Sequence, residues 1–259
     1  MPKFAANLTM LYNELPFLDR FKAARDDGFS GVEFLFPYDF DKAALRKRLD
    51  DNGLTQALHN LPAGDWAAGE RGIAILPGRE QEFRDSVEKA IDYATALGCK
   101  TVNCLAGLTP KDADPARLRA TFVENLRYAA PKFKAARILL VIEAINTRDI
   151  PGFYLNTSRQ TMDILDAVGS DNLASQYDIY HMQIMEGDLA RTMEAQLPRI
   201  GHIQLADNPG RNEPGTGEIN YPFLFDWLDR IGYDGWIGCE YKPKAGTSEG
   251  MGWFAPYKG

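Results

Sequence analysis

The sequence predicts an α/β protein built as a closed, eight-stranded parallel barrel, the (β/α)8 or TIM barrel. Short apolar runs rich in β-branched residues alternate with amphipathic helical patterns, and eight such runs can be counted along the chain. Strand–helix alternation requires parallel strands joined by helical crossovers, and 259 residues is a typical length for such a barrel. The sequence contains no linker-like or low-complexity stretch, so we expect a single domain over residues 1–259.

The predicted strands are the runs in which apolar residues dominate. They are residues 4–10, 31–36, 54–60, 99–106, 138–144, 173–179, 202–206 and 236–241. Amphipathic spacing is clearest at residues 82–97 and 118–133. Glycines follow several helical patterns, at positions where a helix end favours the left-handed conformation; they are Gly28, Gly53, Gly98, Gly169 and Gly232. Only the short tail 248–259 remains for an eighth helix.

A doubly wound sheet is the alternative architecture for the same alternation. That fold would carry a glycine-rich nucleotide-binding turn directly after its first strand. Here the glycine pair Gly215 and Gly217 lies in a predicted loop, late in the chain, and does not complete the GxGxxG pattern. The barrel is therefore the favoured reading.

Composition and charge exclude several classes of protein. The 29 Lys+Arg and 36 Asp+Glu give a net charge of −7, which argues against a nucleic-acid partner. The strongest apolar run, residues 138–145, falls well short of the roughly 18 residues that span a bilayer, and it contains Glu143. The N-terminus has no signal-peptide pattern, and three cysteines without a CxxC pair are typical of a reducing cytoplasm.

Polar residues at the ends of four consecutive predicted strands are the main functional signal. They are Glu143, Asp178, Gln204 and Glu240, each about one strand–helix unit after the last. Catalytic side chains of a (β/α)8 barrel come from the carboxyl ends of the strands. The spacing therefore predicts that these four side chains converge on one point near the barrel axis.

Buried carboxylates that converge would repel one another unless a cation lies between them. An all-oxygen set of donors favours a hard divalent ion, Mg²⁺ or Mn²⁺, over Zn²⁺. The alternative is that each acid at a strand end pairs with an arginine or a lysine.

The histidines have more than one reading. His181 follows Asp178 by three residues, where it could bind a substrate hydroxyl or a ligand carboxylate, or could be structural. His59 ends the third strand, just before the irregular loop 60–72, a candidate lid or binding loop. This position makes His59 a candidate substrate contact. His202 is interpreted as structural.

Three cationic side chains are candidates for binding an anionic substrate at the mouth of the barrel. Lys242 is favoured because it follows Glu240 by two residues, on the same side of an extended chain. Arg71 and Arg211 are the other candidates, and either could instead be a surface charge.

The chain resembles the hydroxypyruvate isomerase family, within the xylose-isomerase-like barrel superfamily, over essentially its whole length. The stretches that carry the resemblance are residues 4–8, 31–34, 59–74, 125–130, 176–183, 213–221 and 238–243. The superfamily often has histidine where Gln204 stands, whereas the hydroxypyruvate isomerase branch resembles this chain in using glutamine.

The resemblance implies a reaction and roles for the site residues. Glu143, Asp178, Gln204 and Glu240 would hold the divalent metal, Glu143 and Glu240 would move the proton, and His181 would lie beside a small sugar-acid substrate. The expected reaction interconverts hydroxypyruvate and tartronate semialdehyde through an enediolate.

Several alternatives remain open. Within the superfamily, a 2-oxo-tetronate or ketose isomerase/epimerase could use the same ligands. A DNA-repair endonuclease on the same barrel and a non-catalytic sugar-acid binding protein are the other classes. We expect no nucleic-acid or membrane partner, a cytoplasmic location and, as an open possibility, a homo-oligomer.

Overall fold

Eight parallel strands close into a barrel in the computed structural model, which describes residues 1–258. The strands are β1 (Lys3–Asn7), β2 (Gly31–Glu33), β3 (Thr55–Asn60), β4 (Thr101–Cys104), β5 (Leu139–Glu143), β6 (Leu173–Asp178), β7 (Ile200–Leu205) and β8 (Trp236–Cys239). Each strand pairs with the next in the chain, and β1 pairs in parallel with β8 to complete the ring. The predicted fold class is confirmed.

Helices connect consecutive strands on the outside of the barrel. They are α1 (Arg20–Asp26), α2 (Lys42–Asn52), α3 (Glu80–Leu97), α4 (Pro115–Ala135), α5 (Ser158–Val168), α6 (Ile179–Met185), α7 (Leu189–Gln196) and α8 (Tyr221–Ile231). The crossover from β6 to β7 contains two short helices, α6 and α7. After β8 the chain forms a 3-10 helix, Ser248–Tyr257, where a regular barrel would have its last α-helix.

The glycine signals mark helix ends as predicted. Helices α2, α3, α5 and α8 each end at a glycine in the left-handed conformation, namely Gly53, Gly98, Gly169 and Gly232. Gly28 also has a positive φ, but it lies one residue beyond Asp27, which caps α1.

Several strands end earlier than the apolar runs predicted. β1 stops at Asn7 rather than residue 10, β2 at Glu33 rather than 36, and β8 at Cys239 rather than 241. The residues beyond these ends, such as Leu8, Phe34 and Tyr241, are buried although they lie outside the strands. An apolar run in the sequence indicates that its residues are buried, whether or not they are in a strand. Because the first loop residues after these strands are also buried, the apolar runs extend beyond the last hydrogen-bonded residue of each strand.

Polar side chains from both halves of the sheet meet inside the barrel. Glu33 at the end of β2 is fully buried and contacts His202 and Gln204 on β7, across the barrel. Apolar side chains fill the layer between the strands and the helices, with Val87 of α3 and Leu126 of α4 fully buried there. Among residues 1–258, no helix is both long enough and apolar enough to cross a membrane.

Candidate active site

A cavity of about 690 Å³, its open mouth included, lies at the carboxyl end of the strands. Polar side chains from strands around the ring line one part of it, and apolar side chains line the rest. The polar and charged residues are Asn7, Asn60, Arg71, Glu143, Gln176, His181, Gln204, Arg211 and Glu240. The position matches the catalytic end of a (β/α)8 barrel.

Three of the residues predicted as metal ligands lie on the neighbouring strands β5, β6 and β7, and the fourth, Glu240, directly follows β8. Register pairs Asp178 with Gln204, and Gln204 with Gly238, two residues before Glu240. Glu143, Gln204 and Glu240 line the cavity. Ligand atoms of Glu143 and Asp178 lie within 4.8 Å of each other and of a nitrogen of His181. All four predicted ligands are at most 8% exposed.

Glu143 ends β5 in a closed environment. Its Oε2 accepts a hydrogen bond from Nδ2 of Asn103 at 3.1 Å, and Asn103 also donates to Oδ1 of Asn60 at 3.2 Å. Burial raises the pKa of Glu143 well above its ordinary value, and the negative charges of Glu240 and Asp178 raise it further. The surroundings of Glu143 therefore favour its protonated form more than water does.

Glu240 follows β8 and is held from two sides. Its Oε2 accepts from Nη2 of Arg211 at 2.5 Å, and its Oε1 accepts from Nδ2 of Asn7 at 3.3 Å. Burial raises the pKa of Glu240 to about 7, with Arg211 opposing the shift. The guanidinium of Arg211 also lies 5.2 Å from the ring centroid of Tyr180, and its Nη1 is 3.2 Å from a carboxylate oxygen of Asp149.

Asp178 carries the most direct sign of a cation. Its Oδ1 accepts the backbone N–H of His181 at 3.1 Å and so caps α6. Its Oδ2 is buried and has no hydrogen-bond partner in the described chain. An unpartnered buried carboxylate oxygen is costly unless a positive charge satisfies it. Because ligand atoms of Glu143 and His181 lie within 4.8 Å of a carboxylate oxygen of Asp178, this buried group fits a bound metal ion.

Gln204 has its side-chain amide held at both ends. Its Nε2 donates to Oε1 of Glu33 at 2.6 Å, and its Oε1 accepts from Nε2 of Gln176 at 2.5 Å. Oε1 of Glu33 also accepts from Asn7 at 2.9 Å, and its Oε2 lies 2.7 Å from Nε2 of His202. Glu33 therefore orients the oxygen of Gln204 away from itself.

His181 lies between the two acids on β5 and β6. Its Nε2 is 3.8 Å from Oε1 of Glu143 and 3.7 Å from Oδ2 of Asp178, and its Nδ1 is 2.6 Å from Nδ2 of Asn146. Burial lowers the pKa of His181 to about 4, with smaller and opposing effects from nearby charges. The ring is therefore neutral near pH 7.

The loop predicted as a lid contributes two side chains to the cavity wall. Arg71 and Trp66 both line it, and the guanidinium of Arg71 lies 4.0 Å from the ring centroid of Trp66. Trp66 in turn packs edge-on against Phe36 at 5.0 Å. These aromatic contacts therefore hold this part of the loop at the cavity wall.

Two predicted substrate contacts lie outside the cavity. His59 is fully buried away from it, with Nδ1 at 3.3 Å from the hydroxyl of Tyr38 and 3.1 Å from the carbonyl oxygen of Asn60. Lys242 is exposed, and only its backbone N–H contacts Arg211. The alternation argument for Lys242 fails because β8 has already ended at Cys239. His202, interpreted as structural, pairs with Glu33 inside the barrel.

The sequence reasoning missed the residues that hold the acids in place. Most lie at or near the ends of the first four strands; they are Asn7, Glu33, Asn60 and Asn103. Only Asn60 ends a predicted apolar run; Asn7, Glu33 and Asn103 lie inside the runs predicted over 4–10, 31–36 and 99–106, because the hydrogen-bonded strands end earlier than those runs. Asn146 and Gln176 carry no comparable signal, because neither is the polar residue that ends its apolar run.

Comparison with known proteins first gives the class. The family model described as xylose isomerase-like TIM barrel matches residues 21–257, and the chain belongs to this family. A crystal structure described as an AP endonuclease, family 2, from Brucella melitensis is 49% identical over the whole of both chains, with a TM-score of 0.98.

Two curated relatives indicate a more specific group of enzymes within this family. The chain is 57% identical to hydroxypyruvate isomerase of Escherichia coli over 258 residues, covering 100% of each. It is 56% identical to 2-oxo-tetronate isomerase of Cupriavidus necator over 259 residues, again covering 100% of each. The chain is an isomerase of this group, as the sequence resemblance predicted.

Proposed function

We propose that the protein interconverts hydroxypyruvate and tartronate semialdehyde, with Glu143 and Glu240 as the proton-transfer pair. One observation carries this proposal: two buried carboxyl groups line one cavity, and burial raises the pKa of both. A raised pKa makes a carboxyl group a better proton acceptor in its ionised form, and the same group can then return the proton. Aldose–ketose isomerisation needs that chemistry on two adjacent carbons.

A divalent metal, Mg²⁺ or Mn²⁺, would be held by Glu143, Asp178, Gln204 and Glu240. Such an ion, when bound, supplies Lewis-acid polarisation of the substrate carbonyl and stabilisation of the negative charge that develops on oxygen. Asp178 would contribute the oxygen that has no protein partner.

The protein's own groups do the rest of the work. One of the two glutamates takes the proton from C3 of hydroxypyruvate, and a glutamate returns a proton to C2. The proton of the C3 hydroxyl passes to the oxygen on C2, so that the carbonyl moves from C2 to C3. Asn103 fixes Glu143 and Asn7 fixes Glu240, so both carboxylates are held in position before substrate binds. Arg211 lines the cavity and donates to Glu240, and it is the group proposed to bind the substrate carboxylate.

The test is an NMR assay of hydroxypyruvate in D₂O with the metal-loaded enzyme. We expect conversion to tartronate semialdehyde with the new C–H position deuterated or partly protonated, according to how far the abstracted proton exchanges with solvent. Hydroxypyruvate that remains unconverted, under conditions in which the protein is folded and metal-loaded, would refute the proposed substrate.

A 2-oxo-tetronate is the second candidate substrate. The relative from Cupriavidus necator, 56% identical over the whole of both chains, supports it. The additional carbon of this substrate would contact the apolar part of the cavity wall, which includes Phe34, Leu58, Leu105, Ile150 and Phe153. The ratio of kcat/KM for hydroxypyruvate, 2-oxo-tetronates and free ketoses, measured side by side, distinguishes these substrates.

An endonuclease is the remaining enzyme class, raised by the description of the Brucella melitensis structure. The net charge of −7 and the acids in the cavity make this surface repel a phosphate backbone. We expect no cleavage of a duplex oligonucleotide that contains an abasic site, at enzyme concentrations that turn over hydroxypyruvate.

We further infer a cytoplasmic location, since Cys99, Cys104 and Cys239 are all buried free thiols. A homo-oligomer stays a prediction, and sedimentation of the purified protein tests it.

A further inference from the structure

The side-chain amide of Asn146 has a fixed orientation. Asn146 lies three residues beyond Glu143 and is fully buried. Its Oδ1 accepts the backbone N–H of Arg148 at 2.9 Å and that of Asp149 at 2.8 Å. Backbone amides only donate, so the oxygen must occupy this side and the NH₂ group must face the other way.

The NH₂ group of Asn146 faces the ring of His181. Its Nδ2 lies 2.6 Å from Nδ1 of His181. An amide NH₂ is a donor only, so Nδ1 must present its lone pair. A proton on Nδ1 would set two donors against each other at this distance. The ring proton therefore belongs on Nε2.

We propose that Asn146 is a positioning residue that holds His181 as the neutral Nε2–H tautomer, which makes His181 a hydrogen-bond donor to a substrate oxygen and not a metal ligand. His181 lines the cavity. Its Nε2 is too far from Glu143 and Asp178, at 3.8 and 3.7 Å, to be engaged by either. The Nε2–H is thus directed into the site and free for a third group.

The same geometry decides whether His181 can be a metal ligand together with Glu143 and Asp178. Glu143, Asp178 and His181 are close enough to hold one ion together. Nε2 could ligate an ion only through its lone pair, which would move the proton to Nδ1, against the NH₂ group of Asn146. The cost of that clash leaves an oxygen-only donor set, which favours a hard cation over zinc.

The identity of the oxygen that receives the hydrogen bond rests on the proposed function. In an enediolate mechanism, negative charge grows on the substrate oxygens, and a preoriented neutral donor stabilises that charge without protonating it beforehand. The tautomer itself does not depend on which substrate is used.

The experiment is long-range ¹H–¹⁵N NMR of the histidine rings in the full-length protein at pH 7.5. The chain has only three histidines, so single variants at each position assign the spectrum. We expect His181 to show a protonated Nε2 and a bare Nδ1, unchanged when Mg²⁺ alone is added. A protonated Nδ1, or an Nε2 that loses its proton on adding Mg²⁺, would overturn the proposal.

Asn146→Asp tests whether Asn146 sets the tautomer of His181. The carboxylate keeps both backbone hydrogen bonds but replaces the NH₂ donor with an acceptor, so Nδ1 should become protonated. We expect kcat to fall by about 10–100-fold, with a smaller change in KM. Asn156→Asp is the matched control, because Asn156 donates to the carbonyl oxygen of Ile145 in the same segment.

The outcomes separate this proposal from the proposed function. If Nδ1 stays bare in Asn146→Asp, or if Asn156→Asp shifts the His181 ring equally, Asn146 does not set the tautomer. If the protein does not turn over hydroxypyruvate, the NMR spectra still decide the tautomer, and only the proposed substrate fails.

Discussion

The two halves of the barrel contribute differently to the site. Strands β5–β8 end in the groups proposed to do the chemistry, whereas β1–β4 end mainly in amides that hold those groups. Asn103 of β4 donates to Glu143, and Asn7 of β1 donates to Glu240. Glu33 of β2 accepts from Gln204.

The difference shows how one barrel can separate chemistry from orientation. Closure of β1 against β8 places Asn7 close enough to Glu240 for a hydrogen bond, although 233 residues separate them in sequence. A carboxylate that is held by a donor before substrate binds loses less freedom in the reaction. Variants in each half should therefore fail in different ways.

The largest expected effect comes from the acids of the second half. Glu143→Gln and Glu240→Gln should each lower kcat by about 10²–10⁴-fold, because an amide can neither take nor return the proton. Turnover and circular dichroism measured together check that the fold survives. The surface variant Glu194→Gln, on the exposed side of α7, is the control. Near-full activity in either variant would remove that glutamate from the pair.

Metal binding at strands β5–β8 should raise the free energy of unfolding of the protein. At 100 times its Kd, Mg²⁺ or Mn²⁺ should add about 2.7 kcal/mol, or about 5–10 °C in Tm, to chelator-treated protein. Asp178→Asn should lose this gain, because it removes the anionic oxygen that has no protein partner. Asp163→Asn, on the exposed face of α5, should keep it.

The proposed metal site also predicts how turnover depends on the metal. Dialysis against chelator should abolish activity, and either ion should restore it. An unchanged Tm and unchanged turnover in protein verified as metal-free would contradict the metal role.

A smaller effect is expected when a side chain of strands β1–β4 is displaced. A Cβ at Gly238 would lie 2.3 Å from both carboxylate oxygens of Glu33, so Gly238→Ala must displace that side chain. We expect a loss of about 1–3 kcal/mol in the free energy of unfolding, and lower kcat through the displaced Gln204. Chemical denaturation measures the first. Gly252→Ala, where a Cβ meets nothing within 4 Å, should change neither.

The smallest expected effect concerns a first-half residue that faces away from the cavity. Burial lowers the pKa of His59 to about 4, below its ordinary value near 6.5. The unfolded chain therefore binds more protons below pH 6.5, and stability is lost as the pH falls toward 4. From pH 7 to 5.5 this histidine should cost about 1 kcal/mol.

Two measurements check the His59 prediction. The free energy of unfolding of His59→Gln should depend less on pH over this window than that of the wild type. NMR titration of the native protein should find the His59 ring neutral at pH 5.5. A ring that titrates near 6.5 would show that burial does not shift it.

Much of the fold and part of the site follow from the sequence. The spacing of apolar residues reflects which side of a strand or helix is buried, so it identifies the eight strands and the helices between them. Strands that alternate with helices are parallel. Glycines at the ends of four helices predict their limits. Polar residues that end apolar runs, such as Glu143 and Asp178, predict where the site lies.

Contacts across the barrel were decided only by the tertiary structure. Lys242 is near Glu240 in sequence, yet Arg211, 29 residues away, supplies the guanidinium that contacts it. The orientation of Asn146, and with it the proton on His181, depends on a turn of three residues and on a helix from another strand–helix unit. Sequence periodicity specifies the direction of a side chain relative to its own element. Which partner it meets depends on ring closure and on the paths of loops, and these are long-range properties of the folded chain.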